Sequence, residues 1–232
     1  MIETFHLSHN YGSCLALKDI SFSIQKGEVA GLLGLNGAGK TTCIKILCGF
    51  IRAASGRAAI NGIDIDQDEM KVKGLVGYLP ESPPLYPELT VKQYLTFIAR
   101  MKGISGENEV KRAIDGTGLT RAENSFIHTL SLGYKKRTGI AQAILGSPPV
   151  LIFDEPISGL DPRQIVEIRN LIRDLSGNHT ILISSHILTE ISRTCDRVII
   201  LHEGCISSTV EKSQLNDLEN LFLQATGGNY AA

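Results

Sequence analysis

The stretch Val29-Ala30-Gly31-Leu32-Leu33-Gly34-Leu35-Asn36-Gly37-Ala38-Gly39-Lys40-Thr41 decides how this chain folds. Val29 to Leu33 is a short continuous apolar run, the mark of a strand buried in a parallel sheet. Gly34 to Thr41 matches G-x-x-x-x-G-K-[ST] in full, and Ile44, Leu47 and Cys48 continue it with helical spacing. The order is strand, glycine loop, helix. Phosphate chemistry explains the residue types. Glycines let backbone N–H groups converge on phosphate oxygens with no Cβ in the way. Lys40 supplies a positive charge to the β and γ phosphates, and the Thr41 hydroxyl can ligate Mg2+. The helix N-terminus adds its own partial positive charge. A chance glycine-rich turn would lack the flanking strand and helix. Cys43 and Cys48 lie in this helix without a second Cys/His pair nearby, so they read as core rather than metal ligands.

A second apolar run, Val150 to Phe153, ends on Asp154-Glu155. Beside a phosphate loop, an Asp at the carboxyl end of a neighbouring strand holds Mg2+, usually through water. Glu155 is then placed to orient and polarise a water aimed at the γ-phosphate. His186 follows the apolar run Ile181-Leu182-Ile183. A lone histidine there is more often structural, but at a strand's carboxyl end it can reach a γ-phosphate.

The rest of the chain predicts an α/β core interrupted by helices. Ile2, Phe5, Leu7, then Leu17, Ile20, Phe22 and Ile24 predict two short strands around a polar turn at His9-Asn10-Tyr11-Gly12. Asn61-Gly62 predicts a hairpin, and Val76 to Leu79 another strand. Pro80, Pro83, Pro84 and Pro87 punctuate a loop, after which Thr90 and Gln93 form a capping box. Helices run from Thr90 to about Ile144, with turns at Gly103, Gly106 and Gly116–Gly118. Strands return at 150–153, 180–183 and 197–201; Asp161-Pro162 opens a helix, and His202-Glu203-Gly204 turns a closing hairpin. The end, Gly227-Gly228-Asn229-Tyr230, is expected to fray.

Composition narrows the classes. The 232 residues are 43% hydrophobic and 20% charged, which excludes disorder. Net charge is -1, from 23 basic against 24 acidic residues, and tryptophan is absent; neither suits a nucleic-acid binder. No apolar run approaches the ~18 residues of a membrane span, and the start carries no secretory leader pattern, so any membrane role is expected to go through a partner. The five scattered cysteines read as reduced cytosolic thiols. His6, His9, His128, His179 and His202 show no ligand spacing and read as surface or turn residues.

Taken together, these residues resemble the nucleotide-binding subunit of ABC transporters over nearly the whole chain. Gly34–Thr41 looks like Walker A, and Val150–Glu155 like Walker B plus the catalytic glutamate. Ser158-Gly159-Leu160-Asp161 looks like the D-loop, His186 like the switch histidine, and Tyr11 like the aromatic that stacks on adenine. Leu130-Ser131-Leu132-Gly133-Tyr134 sits where the L-S-G-G-Q signature belongs, with Leu132 and Tyr134 departing from it. Glu81 stands in place of the Q-loop glutamine. Gly77-Tyr78-Leu79-Pro80-Glu81 is similar to the drug- and lipid-exporter type, including the daunorubicin-resistance-like group.

The resemblance implies a P-loop NTPase (RecA-like) core with an antiparallel β subdomain and an α-helical insert. Residues 1–80 and 149–210 would form the core and β subdomain, 81–148 the helical subdomain, and 211–232 a C-terminal tail. It implies ATP as the bound nucleotide, held by Tyr11, Gly34, Leu35, Asn36, Gly37, Ala38, Gly39, Lys40, Thr41 and Thr42, with Ser131 and Gly133 supplied across a dimer. Mg2+ would be held by Thr41, Asp154 and Glu81, and catalysis carried by Glu155, His186 and Lys40. The partners implied are a second ABC ATPase subunit, identical or homologous, and a separate transmembrane permease that keeps the chain on the inner face of the membrane. From the residues alone, Ser131 reads first as a plain N-cap of a helix running to Leu145. Lys135-Lys136-Arg137 reads as a solvated helix face, or as help for an approaching phosphate. A soluble ABC ATPase of translation usually carries two such domains, a chromosomal one needs a long coiled coil, and a GTPase needs Asn-Lys-x-Asp; none of these is visible here. A catalytically weak regulatory subunit stays open.

Overall fold

The computed structural model describes residues 1–104 and 106–227, so the fraying expected at Gly228-Asn229-Tyr230 lies outside the described residues. The chain runs β1 (Ile2–Tyr11), β2 (Cys14–Ile24), β3 (Val29–Leu33), α1 (Lys40–Leu47), β4 (Ser55–Ile60), β5 (Ile63–Asp64), α2 (Glu69–Leu75) and β6 (Val76–Leu79). Then come α3 (Val91–Met101), α4 (Glu107–Gly116), α5 (Leu132–Ile144), β7 (Val150–Asp154), α6 (Pro162–Ser176), β8 (Thr180–Ser185), α7 (Leu188–Thr194), β9 (Arg197–His202), β10 (Cys205–Glu211) and α8 (Leu218–Ala225).

Two sheets result. One is antiparallel, in the order β2-β1-β4-β5; the other has the order β10-β9-β3-β8-β7-β6 and is parallel except for β10. Every residue of β3, β7 and β8 is buried, which is why those strands read as unbroken apolar runs. Burying each such Leu or Ile side chain contributes ~1.5–3 kcal/mol. One core lies between the sheets around α1; a second packs α6 and α7 on the parallel sheet; a third fills the helices of the insert. α5 joins the last two, with Ile140 in one and Ala141 in the other.

The fold differs from the sequence expectations at the first hairpin, α2, the C-terminal segment and His179, and the helices expected from Thr90 to about Ile144 are interrupted between Gly116 and Leu132. The first hairpin is longer than expected and turns at Gly12-Ser13, because bulges between Thr4 and Leu7 and between Leu7 and His9 break the period of two. α2 escaped notice because Val72 is its one buried residue; Asp68 caps it. The supposed tail folds back: Leu215, Leu218 and Phe222 are buried in the second core. His179, expected at the surface, is buried and bonded through Nδ1 to the Pro148 carbonyl at 2.7 Å.

Because β3, β8 and β7 are neighbours and parallel, their carboxyl ends share one edge. Leu33 is level with Ser185, and Asp154 with Ser184. That edge gathers the glycine loop, Asp154-Glu155 and His186.

Candidate active site

The glycine loop is shaped by close approach. A Cβ on Gly34 would fall 2.3 Å from the Leu201 carbonyl oxygen, and one on Gly39, at φ 106°, would fall 2.5 Å from that of Ala16. Lys40 opens α1 and is only 6% exposed. Its Nζ donates to the carbonyls of Gly34 at 2.7 Å and Leu35 at 3.2 Å, and lies 3.6 Å from Glu155 Oε1. A buried ammonium must find such partners, since leaving it unpaired costs several kcal/mol, roughly.

Above the loop opens a cavity of about 710 Å³. Tyr11, Leu35, Asn36, Gly37, Gly39, Lys40, Thr41, Thr42, Glu81, Glu155 and His186 line it. Gly34 and Ala38 are buried behind the wall. Tyr11 is exposed, with His9 edge-on to it at 4.7 Å between ring centroids. Sequence reasoning missed Cys14, Ala16, Lys18 and Glu203, which also line the cavity. They sit in the first hairpin and the last turn, and no local pattern marks them.

Asp154 is 3% exposed, and Ser184 Oγ donates to its Oδ1 at 2.5 Å. The same Oγ accepts from the Glu155 N–H at 2.9 Å. Ser184 therefore fixes both acidic residues; it lies just past the Ile181–Ile183 run, and no local pattern marks it. Glu155 adopts φ 47°, a strained region for a residue with a side chain. His186 Nδ1 lies 3.0 Å from Glu155 Oε1, while among the described residues the buried Oε2 has no hydrogen-bond partner. A buried carboxylate oxygen left without a partner is costly and calls for an explanation beyond the packing of this chain. Of the three oxygen donors expected for a metal, Thr41 and Glu81 line the cavity, whereas Asp154 is buried outside its lining with Oδ1 bonded to Ser184. Mg2+ takes few protein oxygens and keeps waters and phosphates, so the oxygen donors of Thr41 and Glu81 are of a kind that suits it.

Ser131 and Gly133 lie elsewhere. They line a separate cavity of about 320 Å³ with Tyr134, Arg137, Asp161 and Gln164, and among the described residues the two cavities share no wall. Ser131 caps α5, its Oγ accepting from the Tyr134 N–H at 3.5 Å. A Cβ on Gly133 would meet the Gln164 side chain at 2.8 Å. Leu132 is exposed, and a Cβ on Gly159 would lie 3.0 Å from its Cδ2. The basic run is not a solvated face. Lys136 is buried, and Arg137 is half-buried, bonded to the Thr117 carbonyl and paired with Glu167 at 2.9 Å. Cys43 and Cys48 pack in the first core, and burial pushes the Cys43 thiol up to about 12.

Comparison with known proteins decides the family. The ABC transporter profile matches residues 17–158. The chain is 37% identical to a bacitracin transport ATP-binding protein of Bacillus licheniformis, over 97% of this chain and 74% of that one. This chain belongs to the ABC transporter family. It is 35% identical to a lantibiotic transport ATP-binding protein of Streptococcus pyogenes, over 96% of both chains. A solved ATP-binding subunit of an ABC transporter superposes with TM-score 0.85 at 32% identity, covering 97% of this chain and 99% of that one. The fold is the P-loop NTPase fold of ABC cassettes, and the chain is an ATPase of that family that binds ATP. Among the described residues no helix is long and apolar enough to cross a membrane.

Proposed function

We propose that this subunit powers an exporter by closing head-to-tail with a second ABC ATPase subunit over two ATP molecules. The observation that carries this is the division of the site. The phosphate cavity holds Lys40, Glu155 and His186 but not Ser131 or Gly133, which face a different cavity. One chain alone leaves a γ-phosphate open to water on one side, and electrostatic catalysis works best where water is excluded. The likeness to bacitracin and lantibiotic transport proteins supports export of a peptide-like cargo.

In this reading Tyr11 stacks on adenine and the glycine loop cradles the phosphates. Lys40 exchanges Glu155 for the β and γ phosphates, which frees the carboxylate. Glu155 then takes a proton from the attacking water, and His186 holds Oε1 and contacts the γ-phosphate. Mg2+, held by Thr41 and Asp154, would neutralise phosphate charge. The Pro-rich loop 81–87 and the insert present exposed Tyr86, Phe97 and Met101 for a permease.

Co-expression with a permease of about six ~20-residue apolar spans is the test. The chain should sediment with membranes only when the permease is present. A chain that stays in the supernatant with every such permease would favour the soluble ABC ATPase instead.

Glu81 adds a prediction. Glu81 lines the cavity where the family commonly has an amide. A carboxylate there would bind Mg2+ more strongly than an amide, yet would repel phosphates before the metal arrives. ATP affinity should therefore depend steeply on Mg2+, and Glu81→Gln should flatten that dependence while leaving metal-free binding equal or slightly better. ATP titrations at several Mg2+ concentrations check it; parallel curves for both proteins would place Glu81 away from the metal.

A further inference from the structure

The ammonium of Lys136 ties together two loops that border the nucleotide cavity. Lys136 stands on α5 a little over a turn past Ser131 and is only 2% exposed. Its Nζ donates to the carbonyl of Glu81, just after β6, at 2.7 Å, and to the carbonyl of Glu155, just after β7, at 2.9 Å. Both acceptors are neutral backbone oxygens. Burial holds the ammonium below the usual lysine range, against the pull of the Glu81, Glu155 and Asp154 carboxylates. A cation kept in such a place costs desolvation that an apolar side chain would avoid, so its donors have work to do.

That work is visible at Glu155. A residue with a side chain persists at φ 47° only when its surroundings over-determine it. Here both backbone groups are held: Ser184 Oγ accepts from the N–H, and the carbonyl accepts from the Ser158 N–H at 3.2 Å and, closer, from Lys136 at 2.9 Å. We propose that Lys136 is a positioning residue for hydrolysis, fixing the Glu155 peptide so that its carboxylate faces the γ-phosphate. Through Glu81 the same ammonium makes the loop after β6 move with the catalytic one. α5 carries Ser131 at its start, so a contact at the signature bears on the helix that pins this subunit's own Glu155. This inference rests on the role proposed for Glu155.

Lys136→Met keeps the stem and removes the donors. In the full chain, kcat for ATP hydrolysis should fall by ~10-fold or more, as small misplacement of a catalytic group does, with Kd for MgATP changed by no more than about twofold. Lys136→Arg retains a cation with several donors and should recover much of kcat. In single-turnover experiments, adding Lys136→Met to Glu155→Gln should change the rate by no more than about twofold, because effects through one residue do not add. Wild-type kcat in Lys136→Met overturns the proposal. So does a joint loss of kcat and ATP affinity without rescue by arginine, or a full multiplicative loss in the double variant. Should Lys136→Met not fold, Lys136→Leu, which also lacks donors, is held to the same criteria. Failure of the underlying reading shows separately, as a wild-type rate in Glu155→Gln alone.

Discussion

Glu155→Gln should slow ATP hydrolysis by at least ~100-fold, the scale of losing a general base, while ATP binds as well as before or better. The side chain is buried and cannot be replaced by a bulk water without rearrangement. Its Oε1 is engaged by His186 at 3.0 Å and lies 3.6 Å from Lys40, and among the described residues its buried Oε2 has no hydrogen-bond partner. Glutamine keeps the shape but loses the basicity and the negative charge. Without that charge, Lys40 no longer has to leave a carboxylate to meet the phosphates, so nucleotide affinity is kept or raised. ATP bound without turnover should hold two subunits together, so light scattering should report an ATP-dependent dimer that ADP does not support. A variant hydrolysing at the wild-type rate would remove Glu155 from the role of base.

The parts of this fold legible in the sequence are those where one local signal had one meaning. Val29–Leu33 and Val150–Phe153 are buried on both faces, so burial itself wrote their apolar runs. The Thr90–Gln93 box and the Asp161 cap depend on neighbours within one turn and form as expected. The site was legible in the same way where a backbone demand restricts the residue, as at Gly34 and Gly39. What escaped depends on partners far along the chain. Lys136 looked like part of a solvated basic face because its acceptors lie 55 and 19 residues away. Lys18 and Glu203 reach the cavity only because β2 and the turn after β9 converge beside the loop. The first hairpin lost its alternation to bulges, which no periodicity count can see through. Leu215, Leu218 and Phe222 were overlooked because a short amphipathic segment after the last hairpin resembles a loose end.

Lys40→Ala should weaken MgATP binding roughly tenfold or more, since a buried charge-assisted contact is worth ~1.5–3 kcal/mol. Its structural setting makes the reading of this variant depend on a second measurement. In the nucleotide-free chain, Lys40 also satisfies the Gly34 and Leu35 carbonyls and balances Glu155. Truncation leaves the Gly34 carbonyl short of a partner, at ~1–3 kcal/mol, and Glu155 short of its counter-charge. Some loss of thermal stability is therefore expected even without ligand. Calorimetric titration with MgATP and with MgADP separates the two effects. A general loosening of the loop weakens both nucleotides alike, whereas loss of a charge facing the γ-phosphate weakens ATP more. Equal affinities for ATP in the wild type and Lys40→Ala would mean that the ammonium stays with its carbonyls and never turns to the phosphates.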